Sequence, residues 1–178
     1  MDWFEFEVEG SAGLHVRVEA SGGALRFILN NDGDQAADLR GFFFDVRDPT
    51  VISSLTATGA DITAQAKGDE GVVNLGGGVT MAGAGAFDFG VAFGTAGIGK
   101  DDIRHTEFTL SSVGHQLTLA DVLGQDFGVR FTSVGVEGGP RNGSLKLVAS
   151  GTGEVHHDGG TPGDGGGGPG PIDLPPVV

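Results

Sequence analysis

The feature that most constrains this chain is an alternation. Phe4-Glu5-Phe6-Glu7-Val8-Glu9 places an apolar residue and a carboxylate in strict turn. Successive side chains on a strand point to opposite faces, so this pattern makes one apolar face and one charged face. A helix would scatter the same residues around its axis. The alternation returns in Leu14-His15-Val16-Arg17-Val18-Glu19 and in the apolar set Leu25, Phe27 and Leu29. Further strand candidates are 39–46, 51–58, 71–75, 86–93, 104–112, 127–134 and 144–149. Gly, Asp or Asn separates most of them, as tight turns require. About ten short strands at this spacing predict an all-β protein, an antiparallel, jelly-roll-like β-sandwich. One helix is expected over 118–123, capped by Thr118, with Asp121 in its first turn and Gly124 as its stop.

Phe42-Phe43-Phe44 breaks the alternation. Such a triplet suits a strand covered on both faces, or one whose outer face meets a partner. Trp3 stands beside Glu5 and Glu7 on the outer side of the first strand. The loops near 76–78 and 83–85 are so rich in glycine that little packing is expected of them. Loops of that kind move, or lie against another backbone.

Composition changes near residue 150. Residues 1–150 carry nearly all the apolar content and all 10 Lys and Arg. Residues 151–178 hold 10 Gly and 5 of the 7 Pro. That stretch buries too little apolar surface to offset its ordering entropy, so it reads as an extended tail with polyproline character. It closes on Ile172-Asp173-Leu174-Pro175-Pro176-Val177-Val178. Ile172, Leu174, Val177 and Val178 are therefore candidate assembly residues, together with Trp3, Phe42 and Phe44.

Charge excludes several functions. Acids outnumber bases 24 to 10, a net charge of -14, and cysteine is absent. Nucleic-acid binding needs clustered Lys and Arg, and an anionic membrane repels such a chain. No thiol chemistry or cysteine-held metal is available. No apolar run is long enough to span a membrane, and alternating acids leave no room for an N-terminal secretory signal. Gly94-Thr95-Ala96-Gly97-Ile98-Gly99-Lys100-Asp101 mimics a phosphate loop, but Asp101 stands where a metal-binding hydroxyl belongs. The segment after it, Arg104 to Leu110, alternates like a strand, so no helix dipole faces the loop. No nucleophile elbow and no HExxH pattern occurs, and no catalytic residue is assigned. Acids at loop positions suggest oxygen ligands for structural calcium. The candidates are Asp32 and Asp34, Asp45 and Asp48, and Asp101 and Asp102. The alternative for all six is turn formation and solubility.

Four blocks carry a resemblance: Leu39-Arg40-Gly41-Phe42-Phe43-Phe44-Asp45-Val46, Gly97-Ile98-Gly99-Lys100-Asp101-Asp102-Ile103, Gln125-Asp126-Phe127-Gly128-Val129-Arg130-Phe131-Thr132-Ser133-Val134-Gly135 and Gly143-Ser144-Leu145-Lys146-Leu147. Together they resemble poorly characterised bacterial secreted proteins found beside RTX-type, type I-exported sequences. RTX nonapeptides themselves are absent here. The resemblance implies an extracellular or cell-surface location reached without an N-terminal signal; cytoplasm is the alternative. Two functions are then expected. One is a non-catalytic extracellular structural protein that self-assembles through its tail into a fibre or matrix. The other is a calcium-braced carbohydrate-binding or adhesion module, whose partner would be a polysaccharide.

Overall fold

A computed structural model describes residues 1–97 and 99–158 of this chain. It is an open, two-sheet antiparallel sandwich. The strands are β1 (Asp2–Val8), β2 (Leu14–Ser21), β3 (Ala24–Asn31), β4 (Ala36–Phe44), β5 (Leu55–Thr58) and β6 (Ile62–Val72), followed by β7 (Phe87–Phe93), β8 (His105–Ser112), β9 (Asp126–Gly135), β10 (Gly143–Ser150) and β11 (His156–His157). Sheet A has the order β11-β1-β2-β3-β8-β5, and sheet B the order β10-β9-β4-β7-β6. The alternation of β1 to β3 sets their register, with Phe4 opposite Val18 and Val18 opposite Phe27. A one-residue slip would turn every one of these side chains to water.

All 12 Phe residues are buried. Ten fill the space between the sheets, where Phe27 stacks on Phe108 at 4.8 Å and on Phe44 at 5.2 Å. Phe43 and Phe87 belong to a second, smaller core on the outer face of sheet B, with Val72, Val79, Met81 and Ala92. The cover over Phe43 is therefore the chain itself. Residues 73–86 fold back as a flap, closed by a bridge between Asn74 and Thr80. The loops from which little packing was expected thus bury Val79 and Met81 almost completely. Glycines in the sheet make the room. A Cβ on Gly41 would lie 2.4 Å from Val79 Cγ1, and one on Gly128 would lie 2.6 Å from Phe87 Cζ. Real side chains do not approach so closely, so these positions tolerate only hydrogen while the flap is down.

Other local expectations shift. The segment read as a strand over 51–58 opens as a 3-10 turn, Pro49–Ser54, because Pro49 favours a helical start and Asp48 caps it. The helix expected over 118–123 is a single 3-10 turn, Leu119–Asp121, with Thr118 and Asp121 in a reciprocal capping box. β6 went unforeseen because Thr63, Gln65 and Lys67 alternate with small residues rather than large apolar ones. Regular packing also continues past residue 150. Gly151 is buried, and β11 pairs with β1 through Asp2–His157 and Trp3–His156.

The flap supplies a test of this packing. Gly41→Ala is expected to destabilise by about 1–3 kcal/mol through overpacking. Val79→Ala, which leaves a gap, is expected to cost a similar amount. The double variant should cost less than the sum by about 0.5 kcal/mol or more, because each change relieves the other. Urea unfolding of the four proteins measures this, and strict additivity would place Val79 away from Gly41.

Candidate anion-binding pocket

The clearest built site lies on the outer face of sheet B, between the flap and the β7–β8 loop. It is a cavity of about 250 Å³ lined by Arg40, Gly77, Gly78, Gly97, Arg130, Thr132, Asn142 and Ser144. Strand register explains the grouping. Asp38 pairs with Thr132 and Gly41 with Arg130, so the outward side chains of β4 and β9 lie side by side. A register shift between Leu39 and Gly41 lets Arg40 leave the pleat and turn towards the β7–β8 loop. Across β10, Lys146 pairs with Arg130, and the irregular start of that strand brings Ser144 and Asn142 to the rim.

The two arginines differ in what surrounds them. Arg40 is 3% exposed. It donates to the Phe93 carbonyl and lies 4.0 Å from Asp101 Oδ2. Behind it sits Asp38, fully buried, with one oxygen accepting from Ile103 N–H at 3.0 Å and the other unpartnered. Burial raises the Asp38 pKa, and Asp101 and Asp102 push the same way, while Arg40 and the Ile103 N–H oppose them. The charge of Arg40 is thus met by carboxylates. Arg130 has none within ion-pair distance among the described residues. It reaches only the Gly78 and Leu145 carbonyls, each at 3.4 Å. Burial alone lowers its pKa. Thr132 Oγ1 is also buried without a hydrogen-bond partner.

A partly desolvated cation without a counter-charge is costly, and a buried unpaired hydroxyl adds to the cost. Both are relieved by one ligand with a negative group and oxygens to accept hydrogen bonds. A second cavity, about 350 Å³, lies on sheet A beside Arg26, Asp61, His105 and Glu107. Its polar side chains already have partners within the protein. Arg26 meets Glu107 at 2.5 Å, Thr106 donates to Asp61 at 2.8 Å, and His105 meets Asn30 at 2.5 Å.

The six acids proposed as calcium ligands fall at both ends of β4 rather than together. Asp32 and Asp34 are exposed in the β3–β4 turn. Asp101 and Asp102 lie at the same end, where Asn31 N–H bonds the Arg104 carbonyl and Leu39 N–H the Ile103 carbonyl. Asp102 is held by Arg141 at 2.6 Å and Arg104 at 2.8 Å, which lower its pKa. Asp101 accepts from the Thr95 N–H. Asp45 and Asp48 sit at the far end. Asp48 caps the Pro49–Ser54 turn through Thr50 at 2.9 and 2.6 Å, which lowers its pKa. Asp45 and Asp88 each accept a backbone N–H beside the other, from Asp88 and Val46, both at 3.0 Å. Among the described residues, no group of three or more His, Asp or Glu is placed to hold a metal.

The assembly candidates also separate. Phe42 and Phe44 are fully buried between the sheets and offer no surface. Trp3 stacks on His156 at 4.1 Å, and the Arg17 guanidinium lies 3.9 Å over its ring. With β11 on one side of β1 and β2 on the other, Trp3 is a clamp holding the strap 151–158. Ile172, Leu174, Val177 and Val178 lie outside the described residues.

The sequence assigned no role to Arg40, Arg130 or Thr132, and Asn142-Gly143-Ser144 read only as a glycosylation acceptor motif. One signal was there: Arg40 and Arg130 interrupt apolar strands in a chain with 10 bases. The chain matches no protein-family model, no curated protein and no solved structure.

Asp45, at the end of β4 away from this pocket, carries a pH signature of its own. Burial, then Asp88, Asp126 and Glu70, push its pKa up to about 6 from 3.8, against the Asp88 N–H bond. The folded state therefore binds this proton more tightly than the unfolded chain. Ionised Asp45 costs stability in full above pH ~6, and the cost fades as pH falls towards ~4. Asp45→Asn should raise the melting temperature by a few degrees at pH 7.5 and leave it nearly unchanged at pH 4. Equal shifts at both pH values would remove Asp45 as the cause.

Proposed function

We propose that the body of this chain is a non-catalytic binding or adhesion module that holds a negatively charged group, carried by a saccharide, in the Arg130 pocket. The observation that carries the reading is Arg130 itself, a partly buried guanidinium with no carboxylate within ion-pair distance among the described residues, in a chain of net charge -14. Thr132, Asn142 and Ser144 add hydroxyl and amide groups of the kind that meet sugar hydroxyls. Calcium bracing is no part of this proposal: Asp45, Asp48, Asp101 and Asp102 accept from N–H groups or arginines, and among the described residues Asp32 and Asp34 are not grouped with a third acid. Trp3 is no part of it either, since both flanks of its ring are occupied.

Calorimetric titration with galacturonate, and with galactose as the neutral control, tests the reading. Galacturonate should bind and galactose should not. Arg130→Gln should weaken binding about tenfold or more, the loss expected for a charge-assisted hydrogen bond. Arg47→Gln should leave it unchanged, as Arg47 is exposed and bonds the Leu123 carbonyl. Equal binding of both sugars, or no loss in a folded Arg130→Gln protein, overturns the reading.

Self-assembly remains a second proposal, favoured by the outer edge of β10. Leu145, Leu147 and Ala149 pack inward there, Val148 is exposed, and β9 is the strand's only partner among the described residues. An open edge of this kind accepts a further strand. Sedimentation of the full chain and of one ending at Asp158, which keeps the strap, should show larger species for the full chain alone. Two monomers would end this proposal.

A further inference from the structure

A second cavity adjoins the Arg130 pocket. It measures about 350 Å³ and is lined by Gly99, Lys100, Asp101, Asp102, Ser133 and Arg141. The two are lined by neighbouring residues of the same three segments: Gly97 and Gly99, Thr132 and Ser133, and Asn142 and Arg141. Lys100 stands at the junction, since a Cβ on Gly97 would lie 3.3 Å from Lys100 Cγ. It is exposed and has no carboxylate within ion-pair distance among the described residues. The acids of the second cavity do not cancel it. Asp102 is held by Arg104 and Arg141, and Asp101 faces the Thr95 N–H and Arg40.

Ser133 fixes this wall. Its backbone takes φ +51, a left-handed conformation that a non-glycine residue adopts only when held there. It is held on both sides: Arg141 Nε donates to its carbonyl at 2.8 Å, and its hydroxyl accepts from Gly99 N–H at 3.2 Å. The β7–β8 loop and the β9–β10 turn are thereby joined along the line between the two cavities. Six of the 10 basic residues, Arg40, Lys100, Arg104, Arg130, Arg141 and Lys146, lie in or beside this band.

We infer that the two cavities are consecutive subsites for a linear acidic polysaccharide with one carboxylate per sugar, Arg130 meeting one carboxylate and Lys100 the next. The inference rests on the reading of the Arg130 pocket as an anion site. Each cavity lies near the lower end of small-molecule pocket volumes, which suits a single ring. A guanidinium fork fits a planar carboxylate, and an ammonium on a flexible stem serves as a point charge for the neighbouring one. A more densely charged polymer would meet the repulsion of 14 net negative charges, with Arg130, Lys100 and Lys146 the only cations of the band that lack a carboxylate partner among the described residues, and the Lys146 ammonium turned to the Ala82 carbonyl.

The experiment is calorimetric titration of the full chain with galacturonate and its linear di-, tri- and tetramers at fixed salt. Affinity should rise at least tenfold from monomer to trimer. Lys100→Ala should remove that gain and leave monomer affinity within twofold, whereas Arg130→Gln should weaken every length. Carboxyl-reduced trimer should not bind, and a sulfated trimer should bind more weakly than the uronate. Equal affinity at all lengths, or a length gain that survives Lys100→Ala, overturns the two-subsite inference while the Arg130 reading stands. Loss of monomer binding overturns the Arg130 reading as well. Tighter binding of the sulfated trimer overturns the carboxylate assignment.

Discussion

Sheet B is apolar on both faces, and the chain covers the second face with its own backbone. Phe42 and Phe44 point into the sandwich, and Phe43 points out. A strand patterned this way needs cover on both sides, and one domain of this size has no third layer to give. Residues 73–86 are that cover. They lie close because Gly41 beneath Val79 and Gly128 beneath Met81 leave a trough in the sheet. The pocket follows from the same device. Where the trough ends, the flap presents Gly77 and Gly78 rather than bulky side chains, and the space beneath is lined by Arg130 and Arg40. A larger residue in the trough would lift the flap, expose Phe43 and open the pocket wall together.

Charge is laid out differently on the two sheets. The outer face of sheet A is self-neutralising: Arg17 and Arg26 hold Glu19, Arg26 also holds Glu107, and His15 lies 3.4 Å from Glu5 and 3.9 Å from Glu7. Exposed pairs of this kind contribute little to stability. They do leave both arginines of sheet A met by carboxylates. On sheet B the flap and β10 give Arg130 only carbonyls among the described residues, from Gly78 and Leu145. Local desolvation there, rather than overall charge, is the basis of the proposed anion site.

How much of this could be read from the sequence depended on the range of the interaction. β1 to β3 were legible because burial of one face dictates a period of two, and each hairpin is local. Phe42-Phe43-Phe44 was legible as a doubly covered strand, but the identity of the cover was not, because the flap lies some 30 residues further along the chain. β6 was illegible for a physical reason. It is an edge strand whose side chains mostly bond rather than pack, so it carries no strong apolar pattern. The pocket was illegible because Arg40, Arg130 and Asn142 come from three strands or their turns. Their meeting depends on a register shift within β4 that no local pattern encodes. The partners of the acids were illegible for the same reason. Asp48 and Asp102 have metal-ligand chemistry, and in the fold a nearby N–H or guanidinium engages each.

The edges of the two sheets show a last consequence of the same economy of side chains. β5 is only four residues long, and its backbone would be left unpaired at the rim of sheet A. Gln65 of β6 closes it, accepting from Ala57 N–H at 2.9 Å and donating to the Ala57 carbonyl at 3.1 Å. Lys67 donates to the Leu55 carbonyl at 2.8 Å. A side-chain amide thus stands in for the missing strand, and the sheets are tied at that rim without a further layer. At the other rim the strap does the same for β1, with Trp3 packed between His156 and Arg17. Both rims of sheet A are therefore covered by groups that sheet B or its continuation supplies. In sheet B, Asp69 and Glu70 stand on the edge strand β6, charges that discourage strand addition. β10 lacks such guards except Lys146, whose ammonium is turned to the Ala82 carbonyl of the flap at 2.6 Å. Among the described residues, the edge left receptive thus borders the flap and the Arg130 pocket, so a strand added there and the proposed saccharide would compete for the same rim.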